Sequence, residues 1–124
     1  MTNSEHASLE QYVNMPELLA RIDNDSELLT ELLALFQEEF PRLRDALHNA
    51  VHTGDARQVE KAAHAMKGML ASLSIEHGAA LAANVEAAAR AGDAREIQQA
   101  MAAFDGEETG LLAAVGTFMA GGEP

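Results

Sequence analysis

Residues 54–73 read GDARQVEKAAHAMKGMLASL, and this stretch decides the fold class. Its opening, Gly54-Asp55, is typical of a turn between two helices, because glycine ends one helix and aspartate caps the next. The apolar residues that follow recur about every 3.6 residues and share one face: Val59, Ala62, Ala63, Met66, Met69, Leu70 and Leu73. The pattern predicts an amphipathic helix from residue 55 to about residue 73.

The same turn signature returns at Gly92-Asp93, where a helix end again stands beside an aspartate cap. We therefore expect one helix to end at this turn and a last helix to begin at about residue 94. Ser74 is a candidate N-cap for the helix between the two turns, which the apolar spacing places at about 75–91. No segment alternates with a period of two residues, so no β-sheet is predicted.

Two more helices are predicted upstream of the first turn. Asn14, with a proline two residues later, predicts a short first helix, and a leucine-rich stripe over about 28–51 predicts a long one with a kink near Pro41. Long amphipathic helices joined by short turns predict an all-α fold, an up-down-up-down antiparallel four-helix bundle with a short additional N-terminal helix. We expect residues 1–13 to be a flexible lead-in and residues 14–121 to form the bundle domain.

Composition and charge exclude several classes of protein. The chain has 124 residues, which fits one domain, and it has no cysteine, which excludes disulfides and thiolate metal sites. Its formal net charge of −12 argues against nucleic-acid binding, because clustered Lys and Arg bind phosphate backbones. We find no secretion signal and no apolar run long enough to cross a membrane. We expect a cytoplasmic protein that binds neither nucleic acid nor membrane.

His64 lies on the side of its predicted helix that faces away from the core. When residues are stepped by about 100°, the histidine falls about 160° from the centre of the apolar face. Gly68 and Ala71 follow it on the same exposed face and leave a strip with little side-chain cover. Because glycine inside a helix costs about 1 kcal/mol relative to alanine, an idle surface gives no reason to keep one there.

Cations flank this histidine although the chain as a whole is acidic. Of the eight Lys and Arg residues, three lie on this one helix: Arg57, Lys61 and Lys67. We interpret them as a local positive patch that attracts an acidic partner and stabilises phosphoryl oxygens on the imidazole. An exposed histidine without a function remains the alternative.

Residues 64–68, HAMKG, resemble the H-x-x-K-G motif of histidine phosphotransfer (Hpt) domains, and the wider layout is similar over about residues 14–119. The resemblance implies that His64 is phosphorylated, that Lys67 assists the phosphoryl group and that Gly68 leaves room for a partner. Met69 and Ser74 depart from the residues common in the family at these positions. We assign partner binding to three neighbours of the motif: Arg57, Lys61 and Ala71.

The resemblance also implies a function. Such a protein accepts a phosphoryl group from a receiver-domain aspartate and passes it to another receiver aspartate, so the expected partners are response-regulator receiver domains and a hybrid sensor histidine kinase. We expect a monomeric phosphoryl carrier and not an enzyme, since the sequence has no nucleotide-binding loop. Mg²⁺ is expected in the partner receiver domain, and no cofactor is expected on this chain. The alternatives are a helical adaptor or inhibitor that carries no phosphate, and an excised piece of an autophosphorylating kinase.

Other polar groups offer weaker alternatives. His48 and His52 are four residues apart, a spacing that can bind zinc on one helix face, but the sequence indicates no carboxylate or cysteine that completes the site. We therefore expect no bound metal. The acidic pairs Glu38-Glu39 and Glu107-Glu108 are interpreted as solvated charges on exposed helix faces and not as catalytic carboxylates.

Overall fold

The structure, a computed structural model, describes residues 8–121, and every regular element in that range is helical. A single 3₁₀ turn, Leu9–Gln11, precedes five helices. Their bounds are Met15–Arg21 (α1), Ser26–Thr53 (α2), Ala56–Ser72 (α3), Glu76–Ala91 (α4) and Ala94–Met119 (α5). The predicted helices are therefore confirmed, and α2 continues through Pro41 as one helix.

The two glycine–aspartate turns have the predicted geometry. Gly54 and Gly92 are left-handed, with φ of 78° and 73°, and each ends the helix before it. The side chain of Asp55 then accepts hydrogen bonds from two backbone amides in the first turn of α3, and Asp93 does the same for α5. Each turn is so short that the helices on either side must run antiparallel.

Helices α2 to α5 form the four-helix bundle. Each of them contacts two neighbours, α3 with α2 and α4, and α5 with α4 and α2. Phe36, Phe40 and Phe104 lie at the centre, and each is at most 2% exposed. This arrangement confirms the predicted fold class, and it puts the α3–α4 groove and the α2–α5 groove on opposite sides of the bundle.

The predicted lead-in at residues 1–13 must be corrected where the structure describes it. Leu9 and Val13 are 1% exposed and belong to the core. Tyr12 packs against α5 at Gly110, where an added Cβ would overlap the phenol oxygen. Residues 8–13 are therefore part of the folded unit, and the domain boundary drawn at Asn14 was too late. Residues 1–7 lie outside the described range, and there the lead-in stays a prediction.

Ser74 does not cap α4 as predicted; it closes α3. Its φ is 57°, its amide donates to the carbonyl of Ala71, and the amide of Ile75 donates to the carbonyl of Leu70. These two bonds form a Schellman motif, whose left-handed position is usually glycine. The N-cap of α4 is Ile75, which makes no side-chain capping bond. The prediction failed because serine suits a cap, whereas the backbone here ends one helix and begins another within a few residues.

Candidate functional site

His64 on α3 and Glu86 on α4 face each other across the groove between these helices. The side chain of His64 is 68% exposed, and its Nδ1 lies 2.8 Å from Oε2 of Glu86. Glu86, in contrast, is only 8% exposed at the side chain, and it is one of the buried positions of α4. The histidine is therefore open to solvent on one edge of its ring and held on the other.

Glu86 also binds two cations. Its Oε1 lies 2.8 Å from Nζ of Lys67, and its Oε2 lies 3.2 Å from the Arg90 guanidinium. The same guanidinium reaches Oε2 of Glu60 at 2.9 Å, so a second carboxylate holds it in place. One buried carboxylate thus joins a histidine and a lysine of α3 to an arginine of its own helix.

These contacts set the protonation of the pair. The hydrogen bond from Lys67 holds the pKa of Glu86 below its ordinary value of 4.5; burial opposes this effect and His64 reinforces it. Glu86 is therefore ionised at neutral pH, and an ionised carboxylate only accepts hydrogen bonds. The neutral imidazole of His64 must then carry its proton on Nδ1, which leaves a lone pair on Nε2.

The strip beside His64 is as open as the sequence indicated. Gly68 and Ala71 are exposed, and no side chain within residues 8–121 comes within 4 Å of the position that a Cβ on Gly68 would take. Arg57 and Lys61 are also exposed on α3, and Lys61 lines the groove next to the histidine. The structure thus brings these four residues and Lys67 onto one accessible helix face, and their roles stay predictions.

The predicted positive patch also contains acidic groups. Lys67 is paired with Glu86, and Glu60 lies beside Lys61 in the groove, so acidic groups alternate with the cations. One further cation comes from α1, where the guanidinium of Arg21 donates to the carbonyls of Ala71 and Ser72 at 3.3 and 3.0 Å. The charge around the histidine is therefore mixed, and Glu86 is buried more deeply than Glu60 or Lys67.

One comparison with known proteins identifies the family of this chain. The Hpt domain family model matches residues 31–115, which is more than half of the chain. The chain belongs to the Hpt domain family. Hpt domains are phosphocarrier modules that serve histidine phosphotransfer in phosphorelays, and they interact with receiver domains and kinases. No curated protein and no solved structure matched the chain.

Sequence reasoning missed Glu86, the residue that organises the Hpt site. One signal was present: this glutamate falls between Ala82, Val85 and Ala89, all of them buried positions of α4. A charged residue on an apolar helix face needs compensation. The position of Glu86 on the apolar face of its helix therefore indicated that it needs a partner. It did not indicate that the partner lies on α3.

The remaining predicted groups lie away from His64. His48 on α2 contacts Asp105 on α5, with 2.9 Å between Nε2 and Oδ1. The interpretation of Glu107-Glu108 as solvated charges was wrong, since these side chains are 19% and 11% exposed and Glu108 pairs with Arg44. They lie inward because α5 turns this face toward the neighbouring helices. Between residues 8 and 121 no helix is both long and apolar enough to span a membrane.

The lowered pKa of Glu86 predicts a specific pH dependence of stability. A carboxylate whose pKa is lower in the folded than in the unfolded state contributes stability above its unfolded pKa, near 4.5. That contribution is lost as the pH falls through the lower, folded value. Glu86→Gln removes the titration, so the free energy of unfolding of wild type should fall more steeply below about pH 5 than that of the variant.

Urea unfolding measured from pH 7 to pH 3 checks this expectation. Glu31→Gln, which changes an exposed glutamate on α2, is the matched control and should follow wild type. Parallel curves for wild type and Glu86→Gln would contradict the account of the Glu86 contacts.

Proposed function

We propose that this Hpt domain carries a phosphoryl group on Nε2 of His64, taking it from the aspartate of one receiver domain and passing it to the aspartate of another. The observation that carries the proposal is the contact of Nδ1 with Glu86 on a histidine that is 68% exposed. This contact occupies one ring nitrogen and leaves the other as the nucleophile. Nε2 has no hydrogen-bond partner among the side chains and backbone of residues 8–121.

The transfer needs no base on this chain. The lone pair of Nε2 attacks the phosphorus of an aspartyl phosphate, the new P–N bond forms, and the P–O bond to the aspartate breaks as its carboxylate leaves. The ring becomes positively charged, and its proton stays on Nδ1, where the Glu86 carboxylate offsets the charge. In the second half-reaction a receiver carboxylate attacks the phosphorus, and His64 returns to its neutral form.

We assign assistance of the phosphoryl group to two lysines. Lys67 lies one turn after His64, and its side chain is 34% exposed. Its ammonium already lies in the site, because it pairs with Glu86. A charged phosphoryl group on Nε2 competes with Glu86 for this ammonium. Lys67 then turns from Glu86 to bind the phosphoryl oxygens. Lys61, one turn before the histidine, borders the same groove.

The partner supplies what remains. In-line phosphoryl transfer requires neutralisation of the oxygens, usually by Mg²⁺ on carboxylates, and we assign that ion to the receiver domain. The open strip of Gly68 and Ala71 lets a receiver approach His64, and Arg57 and Arg21 border that approach. We further propose receivers and a hybrid sensor kinase as its partners, with the domain acting as a cytoplasmic monomer.

Labelling of His64 tests the proposed function. Incubation with a phosphorylated receiver domain should transfer an acid-labile, alkali-stable phosphoryl group to wild type, and His64→Gln should abolish it. The control is His77→Gln, since His77 is exposed to a similar degree, 66%, and lies at the start of α4. Transfer to His64→Gln would place the phosphoryl group elsewhere, and no transfer to wild type would favour an adaptor without phosphate.

Substitutions at Gly68 separate access from folding. Since no side chain contacts the position of its Cβ, Gly68→Ala should raise the free energy of unfolding by up to about 1 kcal/mol, and Gly68→Gln should fold. Transfer from a receiver should nevertheless fall from Gly to Ala to Gln, because each larger side chain separates the two proteins.

Gly106→Ala is the matched control for this series. Gly106 is a helical glycine of α5 with the same open space, so its substitution should stabilise the fold to a similar extent and leave transfer unchanged. Wild-type transfer rates for Gly68→Gln would show that no partner closes over this strip.

A further inference from the structure

A second cluster of ionisable side chains lies across the bundle from His64, in the groove between α2 and α5. His48 and Asp105 meet there with 2.9 Å between Nε2 and Oδ1, and both side chains are nearly half exposed. These two helices share the smallest of the four interfaces between neighbouring helices of the bundle. A contact between them therefore acts where the bundle has the fewest other contacts.

Glu108 completes a set of three possible metal ligands. It follows Asp105 by three residues on α5, and the ligand atoms of His48, Asp105 and Glu108 all lie within 4.8 Å of one another. Its Oε2 forms an ion pair with the guanidinium of Arg44, with 3.1 Å between the two atoms. Its Oε1 is buried and has no hydrogen-bond partner within the described range. A buried, unsatisfied carboxylate oxygen is unfavourable, so this atom lacks a cation or a donor.

We propose that His48, Asp105 and Glu108 bind a divalent metal ion of the zinc class, with water as the fourth ligand. The imidazole nitrogen favours zinc and its neighbours in the transition series over Mg²⁺ or Ca²⁺, which take oxygen ligands. Zinc binds such nitrogens and oxygens at about 2.0–2.2 Å, so the three ligands need to move together slightly. His48 and Asp105 are exposed enough to make that movement.

The charge of the surroundings fits one divalent ion. The formal charges of Asp45, Asp105 and Glu108, together with the one of Arg44, sum to two negative charges, which match one divalent ion. Arg44 also contacts Asp45, with 3.7 Å between Nε and Oδ1. The guanidinium holds the Glu108 carboxylate in orientation while it leaves Oε1 for the metal.

From the sequence we expected no bound metal, and the three ligands proposed here differ from the His48–His52 pair that was considered as a weaker alternative. His52 follows His48 by one turn and lines the same groove. The possible ligand atoms that lie close to His48, however, belong to Asp105 and Glu108 on α5. The ion would therefore link α2 to α5 and not two turns of one helix. Such a link stabilises the folded bundle, because the unfolded chain does not hold these ligands together.

Zinc titration of the metal-free protein tests the proposal. At a zinc concentration about a hundredfold above Kd, the melting temperature of wild type should rise by roughly 5–15 °C. His48→Ala and Asp105→Asn should each lose this rise, and neither side chain is buried, so both variants should fold. His77→Ala, which removes an exposed histidine outside the cluster, should keep it.

Cobalt gives a second readout of the same site. Co²⁺ in a site with three protein ligands and water should show visible absorption in wild type and in His77→Ala, but not in His48→Ala. A melting temperature unchanged by zinc, or an equal rise in wild type and His48→Ala, would overturn the proposal. Phosphoryl labelling of His48→Ala should equal that of wild type in every case, so the outcome is independent of the proposed function.

Discussion

The buried carboxylate of Glu86 is the group on which the arrangement around His64 depends. It takes hydrogen bonds or ion pairs from a histidine, a lysine and an arginine, and its side chain is only 8% exposed. A buried charge is unfavourable unless its partners are in place, so the carboxylate requires α3 and α4 to keep their relative position. The same contacts fix the proton of the imidazole on Nδ1. The same carboxylate therefore stabilises the helix pair and sets the tautomer of the proposed nucleophile.

On one side of His64 the ring is held by hydrogen bonding, and on the other side the protein surface is open. Behind His64, the Glu86 contacts hold the ring, and in front of it Gly68 and Ala71 leave the surface open. The glycine costs helix stability, and the desolvation of the buried glutamate is offset only because its partners are in place. Both become understandable if a second protein has to reach a histidine of fixed orientation. The wide apolar core of the four-helix bundle offsets these local losses.

Most of the fold could be predicted because it depends on local signals. Glycine–aspartate turns and the spacing of apolar residues placed the helices and the outward direction of His64. The contact with Glu86 could not be predicted, because it depends on how α3 and α4 are rotated against each other. The same limit applies to His48 and Asp105 on α2 and α5. Ser74 was misread because a residue suited to a cap also tolerates the left-handed turn that closes α3.

The protonation of the His64 ring tests the central claim most directly. Long-range ¹H–¹⁵N NMR spectra at neutral pH distinguish a protonated from an unprotonated ring nitrogen. The account predicts a protonated Nδ1 and an unprotonated Nε2 for His64, and a mixture of both neutral forms for His64 in Glu86→Ala. A ring protonated on Nε2 in wild type, or a mixture unchanged by Glu86→Ala, would contradict it.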